Sequence, residues 1–452
     1  MRDPAPPRVV GLAGAVALVV GSMLGVGILL TPPLVARAVD SPLAYLGLWT
    51  LGGAISLCGA ACYAELGALL PSGGGDVVFQ RAAFGRPLAA ASGVVVFVVS
   101  FAASIAAMAA ALGTYQSQVL VDAAGVGIDL SRSIAGLPLT GAAAIGVAVV
   151  CATTGINLLG ARIAARLQTA LALVPVLSLG GLAMAALAGL PVTAPPPPPT
   201  SPQGASVLEA FLGVYFSYAG WPTVVYIAGE VERPGHVLGR ATVGGAAVVT
   251  ALYLLVGGGL LAAFGLDGLA ALGEAGTALA RALLGPGADV VMAVFIGIAI
   301  LASINGTVLA GARIAAAMAR EGVLPSQLAQ LDGSGHAPRR ALLVQALLAI
   351  AYICTGTFTS ILATSGVAMM LIGAITVTAA LRLRSTAPTR PRPFRVPAIP
   401  LFAGAYILTG VVVVVGSLGT AARDGELGVS LAGVAVLLLA WAGFWIVGRR
   451  PR

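Results

Sequence analysis

The chain carries a series of apolar runs, each long enough to cross a bilayer as a helix, from one end of the sequence to the other. About 20 apolar residues span the hydrocarbon core as an α-helix. Twelve such runs occur, at about 9–36, 42–70, 88–120, 137–157, 163–190, 206–229, 240–265, 287–319, 340–357, 359–381, 401–420 and 428–448. They are continuous and rich in Leu, Val and Ala, whereas a β-barrel needs short alternating segments. The sequence therefore predicts an all-α integral membrane protein with about twelve transmembrane helices.

Charged residues are too few for a water-soluble chain of this length. They make up 9% of the 452 residues, against 59% apolar residues, whereas soluble domains carry about 25% charged residues. The loops are short, so we expect one transmembrane domain over residues 1–452. The first run is too long for a signal-peptide core and lacks a clear cleavage site, so we interpret it as a membrane helix. Cys58, Cys62, Cys151 and Cys354 lie inside apolar runs, which favours small core residues over disulfides or metal ligands. We predict no cofactor.

The arginines predict the orientation of the chain. An even number of spans puts both termini on one side, and a cytoplasmic N-terminus leaves Arg37, Arg132, Arg281 and Arg423 outside. The other arginines then lie inside or at inner helix ends, as expected from the enrichment of basic residues in cytoplasmic loops. We predict a multi-pass protein of the inner (cytoplasmic) membrane with both termini in the cytoplasm. The net charge of +8 then reflects topology, and no basic face on a soluble domain favours nucleic-acid binding.

The first apolar run is interrupted near its middle. Gly21, Gly25 and Gly27 stand there, and Pro32 and Pro33 follow. Glycine costs about 1 kcal/mol in a helix interior and proline about 3 kcal/mol, and unwound backbone at membrane depth occurs where it lines a cavity or is buried in protein. An unwound turn exposes N–H groups at the start of a half-helix, which favour a carboxylate. The alternative interpretation is close helix packing, which small residues also permit.

The sixth run carries a second interruption. Gly220 and Pro222 lie within it, beside Phe216 and Trp221. Interrupted helices at matching positions of two halves of a chain indicate a transporter's binding site near the bilayer midplane. The aromatic rings are candidates for a gate over a cavity, and lipid-facing or core aromatics are the alternative. The proline-rich linker at 190–202 separates two halves or is a plain spacer.

Several segments together resemble the amino acid–polyamine–organocation superfamily. They are the two interruptions and, in family order, Ala64–Gly85, Gly229–Pro234, Ala312–Pro325 and Arg392–Pro397. The motif Tyr218-Ala219-Gly220-Trp221 with Gly229-Glu230, and Asn305, is most similar to the L-type transporters and the bacterial serine/threonine exchangers. The resemblance implies a LeuT-type fold with broken helices 1 and 6. Its two inverted five-helix repeats would occupy about 9–190 and 206–384, with two extra helices at about 401–448.

The resemblance also implies the activity and the residues that bind the substrate. The activity is exchange of small or apolar neutral L-amino acids by alternating access. The N–H groups of Val26 and Gly27 would bind the substrate carboxylate, and the carbonyls of Met23, Phe216 and Ala219 would bind its ammonium group. The ring of Phe216 would close over the substrate from outside, and Asn305 would contact the substrate or hold the first helix. The other residues of the implied site are Gly25, Ser217 and Gly220.

Ionisable residues are rare inside the apolar runs. Glu65, Glu230, Glu232 and Arg313 are the deepest, all near inner helix ends, and intramembrane charges are candidates for function. With Phe216, we interpret Glu65, Glu230 and Arg313 as candidate gating residues, and ordinary solvated helix ends are the alternative. We find no carboxylate, lysine or histidine at the midplane, and the eighth span offers Ala310–Ala312 where sodium needs hydroxyls. Exchange or facilitated diffusion is therefore favoured.

Departures from the family pattern bear on ion coupling. Val26 stands where many relatives have Ser or Thr, so a hydroxyl is absent. The fifth-helix lysine of some proton-coupled relatives aligns with Pro175, and the glutamate of some acid-resistance antiporters aligns with Pro222. A proton-coupled transporter, or a carrier of cationic amino acids or polyamines, is therefore the less favoured alternative. Residues 121–136 contain no cysteine, so we expect no disulfide-linked partner subunit. The expected partners are the amino acid substrate and the lipid bilayer.

Other classes of membrane protein are less compatible with the sequence. An enzyme needs a nucleophile, a base or metal ligands that converge, and His236 and His336 lie in separate loops with no acidic pair inside the runs. A channel is disfavoured because no continuous polar stripe follows any run. A membrane sensor that binds the substrate without transporting it stays an open alternative.

Overall fold

The structure is a computed structural model that describes residues 7–25, 27–132, 140–190, 205–331, 337–356, 358–423 and 427–448. Val26, His336 and nearly all of the proline-rich linker lie outside these ranges. Within them the chain is helices and short connections, and the one β-type pairing is an isolated bridge between Val10 and Val231. The prediction of an all-α membrane protein is confirmed.

The helices follow the apolar runs in chain order. They are α1 Leu12–Met23, α2 Gly27–Ala38, α3 Pro42–Leu69, α4 Asp76–Phe84, α5 Arg86–Val94, α6 Ala102–Ala111, α7 Ser117–Ala123, α8 Gly141–Leu158, α9 Ala161–Leu187, α10 Val207–Ser217, α11 Thr223–Tyr226, α12 Pro234–Ala270, α13 Ala275–Leu284, α14 Ala288–Arg320, α15 Arg339–Thr355, α16 Phe358–Thr386, α17 Ile399–Arg423 and α18 Leu427–Gly448. Two π-helical segments, Val95–Phe101 and Leu112–Gln116, join α5, α6 and α7 into one continuous span.

Nine spans among the described residues have the length and composition to cross a membrane. Eight are single helices, and the bent pair of α1 and α2 makes the ninth. The predicted sixth, ninth and twelfth spans are also helical, as α10 with 11 residues, α15 with 17 residues and α18 with 22 residues. The multi-pass architecture is thus confirmed, and the helix α10 is short because the sixth span is interrupted after Ser217.

Some helix boundaries differ from the prediction. Helix α12 spans 37 residues, well beyond the predicted 240–265, and its backbone breaks at Gly265 with φ of 64°. Helix α13 begins because the Glu274 carboxylate accepts hydrogen bonds from the N–H groups of Gly276 and Thr277, at 2.6 and 2.7 Å. Hydropathy does not detect such side-chain capping of a helix N-terminus. The prediction that the cysteines are core residues holds for Cys62, which is buried. Cys151 and Cys354 are exposed on their helices.

Glu65 connects three elements at the arginine-rich end of the bundle, the end that holds Arg313, Arg320, Arg384 and Arg392. Its buried carboxylate accepts two hydrogen bonds from Arg384, at 2.8 and 2.6 Å, and one from the Val396 N–H at 2.8 Å. Arg392 Nε lies 3.4 Å from the same group. The carboxylate therefore links α3, α16 and the segment before α17, and its partners are not Glu230 or Arg313.

Replacing Arg384 with alanine removes the bidentate partner of a buried carboxylate. Glu65 is 2% exposed, and breaking a buried pair costs about 3–5 kcal/mol because a charge stays desolvated. We expect the free energy of unfolding to fall by about 3 kcal/mol, at the low end of this range, because Arg392 and the Val396 N–H still face the carboxylate. Thermal unfolding of the detergent-solubilised protein, followed by tryptophan fluorescence, measures the loss.

Arg281→Ala is the matched control. Arg281 forms an equally bidentate pair with Asp289, but its side chain is 61% exposed. Exposed pairs contribute about 1 kcal/mol or less. Equal shifts in the two variants would contradict the assignment of Glu65 as a structural junction.

Candidate functional site

The first apolar run is broken at the predicted place. Helix α1 ends at Met23, helix α2 begins at Gly27, and their axes differ by 47°. Leu24 has extended backbone, with φ of −74° and ψ of 95°. The carbonyls at the end of α1 and the N–H groups at the start of α2 have no partners within their own helices. Their opposite partial charges therefore meet at this break.

The sixth apolar run is broken in the same manner. Helix α10 ends at Ser217 and helix α11 begins at Thr223, with Pro222 as its N-cap residue. Gly220 between them has a φ of 109°, in the left-handed region that glycine adopts without steric cost.

The two breaks lie directly against each other. A Cβ atom on Gly220 would lie 2.3 Å from the Ser22 carbonyl oxygen, and one on Gly27 would lie 2.8 Å from the Ser217 Cα. The hydroxyls of Thr31 and Ser217 join α2 to α10 at 3.1 Å. Each break therefore needs a glycine because the backbone of the opposite break leaves no room for a side chain. Gly27 and Gly220 thus permit close packing as well as interrupting their helices.

Hydroxyl groups from two other helices satisfy the carbonyls that the breaks release. Tyr253 Oη of α12 lies 2.9 Å from the Met23 oxygen and 3.0 Å from the Ser217 oxygen, so it bridges the two breaks. Ser303 Oγ of α14 lies 3.1 and 3.0 Å from the oxygens of Gly21 and Leu24. The expectation that the eighth span brings no hydroxyl to this place is wrong, because the residue facing the break is Ser303 and not Ala310–Ala312.

An aromatic cluster stands behind the second break. Trp49, Tyr218 and Tyr253 are buried, with ring centroids 5.0 to 6.1 Å apart and steep interplanar angles. Each such pair contributes about 0.5–1.5 kcal/mol beyond its buried area. The cluster holds Tyr253 where its hydroxyl reaches both breaks.

A cavity of about 560 Å³ opens beside the two breaks. Pockets of about 300–1,000 Å³ hold small-molecule ligands. Its lining includes these predicted site residues: Met23, Gly25, Gly27, Phe216, Ser217, Ala219 and Gly220. Phe216 is 50% exposed and meets Tyr215 edge to face. The rest of the lining includes the apolar residues Phe101, Met108, Ile300, Met369 and Met370.

Asn305 lies outside the cavity lining. It is fully buried, donates to the Ala164 carbonyl at 3.1 Å and to Gln168 Oε1 at 2.7 Å, and accepts from Asn157 at 3.0 Å. Gln168 in turn stands against Gly21, where an added Cβ would lie 2.2 Å from its Nε2 atom. The side chain of the fifth span that faces the first break is therefore Gln168.

Glu230 and Arg313 form a buried ion pair below the second break. The guanidinium donates two hydrogen bonds to the carboxylate, at 2.8 and 3.0 Å, and both side chains are about 5% exposed. The pair lines a second, smaller cavity of about 270 Å³ at the arginine-rich end, together with Arg8 and Arg320. Tyr226 lines both cavities and separates them.

A buried carboxylate lines the main cavity, contrary to the expectation of none. Asp76, the first residue of α4, is 1% exposed. Its oxygens accept hydrogen bonds from the hydroxyls of Tyr63 at 2.6 Å, Tyr226 at 2.5 Å and Thr376 at 2.6 Å. Its place in the run Gly73-Gly74-Gly75-Asp76 indicates an inner loop, and only the fold brings it to the cavity.

A cavity at two facing helix breaks in a bundle of membrane spans defines a secondary transporter of small molecules. The chain belongs to the amino acid permease family, whose model matches residues 10–441. It is 27% identical to the serine/threonine exchanger SteT of Bacillus subtilis, over 89% of this chain and 90% of that protein. It is 26% identical to the human large neutral amino acids transporter small subunit 2, over 88% and 75%. It is 27% identical to the human cystine/glutamate transporter, over 86% and 76%.

Gly220→Ala tests the contact between the breaks. The added Cβ meets the Ser22 backbone, which no rotamer change relieves, so we expect at least a tenfold loss of substrate affinity. Gly287→Ala is the control, because Gly287 has a φ of 89° but nothing within 4 Å of its Cβ position. Binding of labelled substrate to purified, monodisperse protein measures both, and an unchanged affinity in Gly220→Ala would contradict the assignment of the site.

Proposed function

We propose that this protein exchanges neutral L-amino acids across the cytoplasmic membrane by alternating access, with the amino acid backbone bound between the two breaks. The observation that carries the proposal is the direct packing of one break on the other beside a cavity. The start of α2 at Gly27 favours a carboxylate, and the ends of α1 and α10 favour an ammonium group. A zwitterion presents both charges a few ångströms apart, as this arrangement requires.

The relatives support amino acid exchange. One is named a serine/threonine exchanger and another a large neutral amino acids transporter. The apolar part of the lining favours small or apolar side chains. Asp76 does not make the site suitable for a cationic substrate, since three hydroxyls already occupy its oxygens and it is nearly inaccessible.

Individual residues have distinct roles in this proposal. Phe216 covers the substrate, because its ring is exposed to the cavity at the end of α10. Asn305 positions the first break through Gln168 and does not touch the substrate. Glu230 and Arg313 close the arginine-rich end, and their pairing is broken when that end opens.

We further propose that the arginine-rich end faces the cytoplasm and that the chain works without a disulfide-linked subunit. In a background without native cysteines, a membrane-impermeant maleimide added to intact cells should label Ser131→Cys and not Thr389→Cys. Both positions are exposed in the structure. Permeabilised cells, in which both should react, are the control, and the reverse pattern in intact cells would overturn the orientation.

Uptake of labelled alanine, serine, threonine and leucine into liposomes that contain the purified protein tests the transport activity. We compare empty liposomes with liposomes preloaded with unlabelled substrate, without an ion gradient. Exchange predicts uptake at least tenfold faster with preloading. Equal uptake in both would mean a uniporter, whereas binding without uptake in either would favour a sensor.

A further inference from the structure

Asp76 is a buried carboxylate whose side-chain partners are hydroxyls. Its three donors come from three elements: Tyr63 of α3, Tyr226 of α11 and Thr376 of α16. Glu65 and Glu230, the two other buried carboxylates at the arginine-rich end, each have an arginine nitrogen at 3.0 Å or less. Among the described ion pairs, none includes Asp76. Its charge is therefore stabilised by hydrogen bonds and not by a cation.

Tyr226 is the donor whose position matters for transport. It is the last residue of α11, the short helix after the second break, and it lines both the main cavity and the smaller cavity at the arginine-rich end. The loop of Gly73, Gly74 and Gly75 encloses it. The Gly74 N–H donates to the Tyr226 carbonyl at 2.8 Å, and a Cβ on Gly75 would lie 2.1 Å from the tyrosine ring. Opening a path between the cavities requires Tyr226 to leave Asp76.

We propose that Asp76 is a titratable latch of this wall: its charged form holds Tyr226 between the cavities, and its protonated form releases it. The inference extends the proposed exchange activity to its dependence on pH.

The strength of the latch depends on the charge of Asp76. A hydrogen bond to a carboxylate is about twice as strong as one between neutral groups. Protonation from water therefore weakens the Tyr226 contact. Conversely, departure of Tyr226 removes a donor from the buried charge, which increases the affinity of Asp76 for a proton. Opening of the wall and protonation of Asp76 consequently favour each other.

Among the described residues, the polar groups that face Asp76 are neutral near neutral pH. The groups around it are the phenols of Tyr63, Tyr226 and Tyr406, the Thr376 hydroxyl and the Gln80 amide. On the outer face of α4, Arg81 pairs with Glu321. Asp76 lies in α4, between two membrane spans, and burial raises the pKa of its carboxyl above the ordinary value, against the hydrogen bonds from Thr376, Tyr226 and Tyr63. The latch is complete above that pKa and is lost as the pH falls through it.

The test is the exchange rate of preloaded liposomes at equal internal and external pH, from pH 8 to 5. We expect a sigmoidal rise toward low pH in the wild type and a flat profile in Asp76→Asn, because an amide does not titrate. Tyr226→Phe should give fast exchange with a flat profile, since the hydroxyl that charged Asp76 holds is lost. The matched control is Tyr218→Phe. The Tyr218 hydroxyl belongs to the same cavity but donates to the Trp49 carbonyl, at 3.0 Å, and not to Asp76. Its midpoint should stay unchanged.

Hydrogen–deuterium exchange of the purified protein provides a second readout that does not require transport. After correction for intrinsic rates, peptides covering 223–231 should lose protection at low pH in the wild type and not in Asp76→Asn. A wild-type protein with unchanged protection and flat exchange rates overturns the latch, as does a pH profile that Asp76→Asn retains. Pronounced pH-dependent protection in a protein without exchange supports the latch and counts against the proposed function alone.

Discussion

Unwound backbone inside an apolar bundle is the constraint on which the rest of this structure depends. Each break releases carbonyl and N–H groups that neither lipid nor a helical neighbour can satisfy. Two hydroxyls reach four of these carbonyls: Tyr253 shares its one proton between Met23 and Ser217, and Ser303 shares its one proton between Gly21 and Leu24. The aromatic cluster and the long helices α12 and α14 are thus needed to deliver those hydroxyls to one point. The groups that stay available at the cavity are the ones that a substrate can bind.

Local features were predictable and tertiary partners were not. The apolar runs and both breaks follow from hydropathy and from glycine and proline positions, which act over a few residues. Tyr253 and Ser303 reach the first break from 230 and 282 positions away in the sequence, and nothing in their own helices marks them. Glu65 was recognisable as an intramembrane charge, but its partner Arg384 depends on how α16 crosses α3. Gln168 faces Gly21 because of the rotation of α9 about its axis, which the sequence of α9 alone does not specify.

The three buried carboxylates at the arginine-rich end are stabilised in three ways with different consequences. Glu65 has two arginines nearby and a backbone N–H, which makes it a fixed junction. Glu230 has one bidentate arginine on a separate helix, so the pair separates when α11 and α14 move apart. Asp76 accepts hydrogen bonds from three hydroxyls and belongs to none of the described ion pairs. The three buried carboxylates therefore differ in their partners, which are two arginines for Glu65, one arginine for Glu230 and three hydroxyls for Asp76.

The polar groups that we propose to bind a zwitterion also bear on the choice between exchange and uniport. A buried donor or acceptor without a partner costs about 1–3 kcal/mol, and closing an empty cavity around the breaks leaves several such groups without substrate. An amino acid supplies the missing partners through its carboxylate and ammonium groups, so the closed intermediate is more stable when loaded than when empty. Because passage between the two open states goes through that intermediate, a loaded protein crosses faster than an empty one. Backbone recognition at two facing breaks thus favours exchange over uniport.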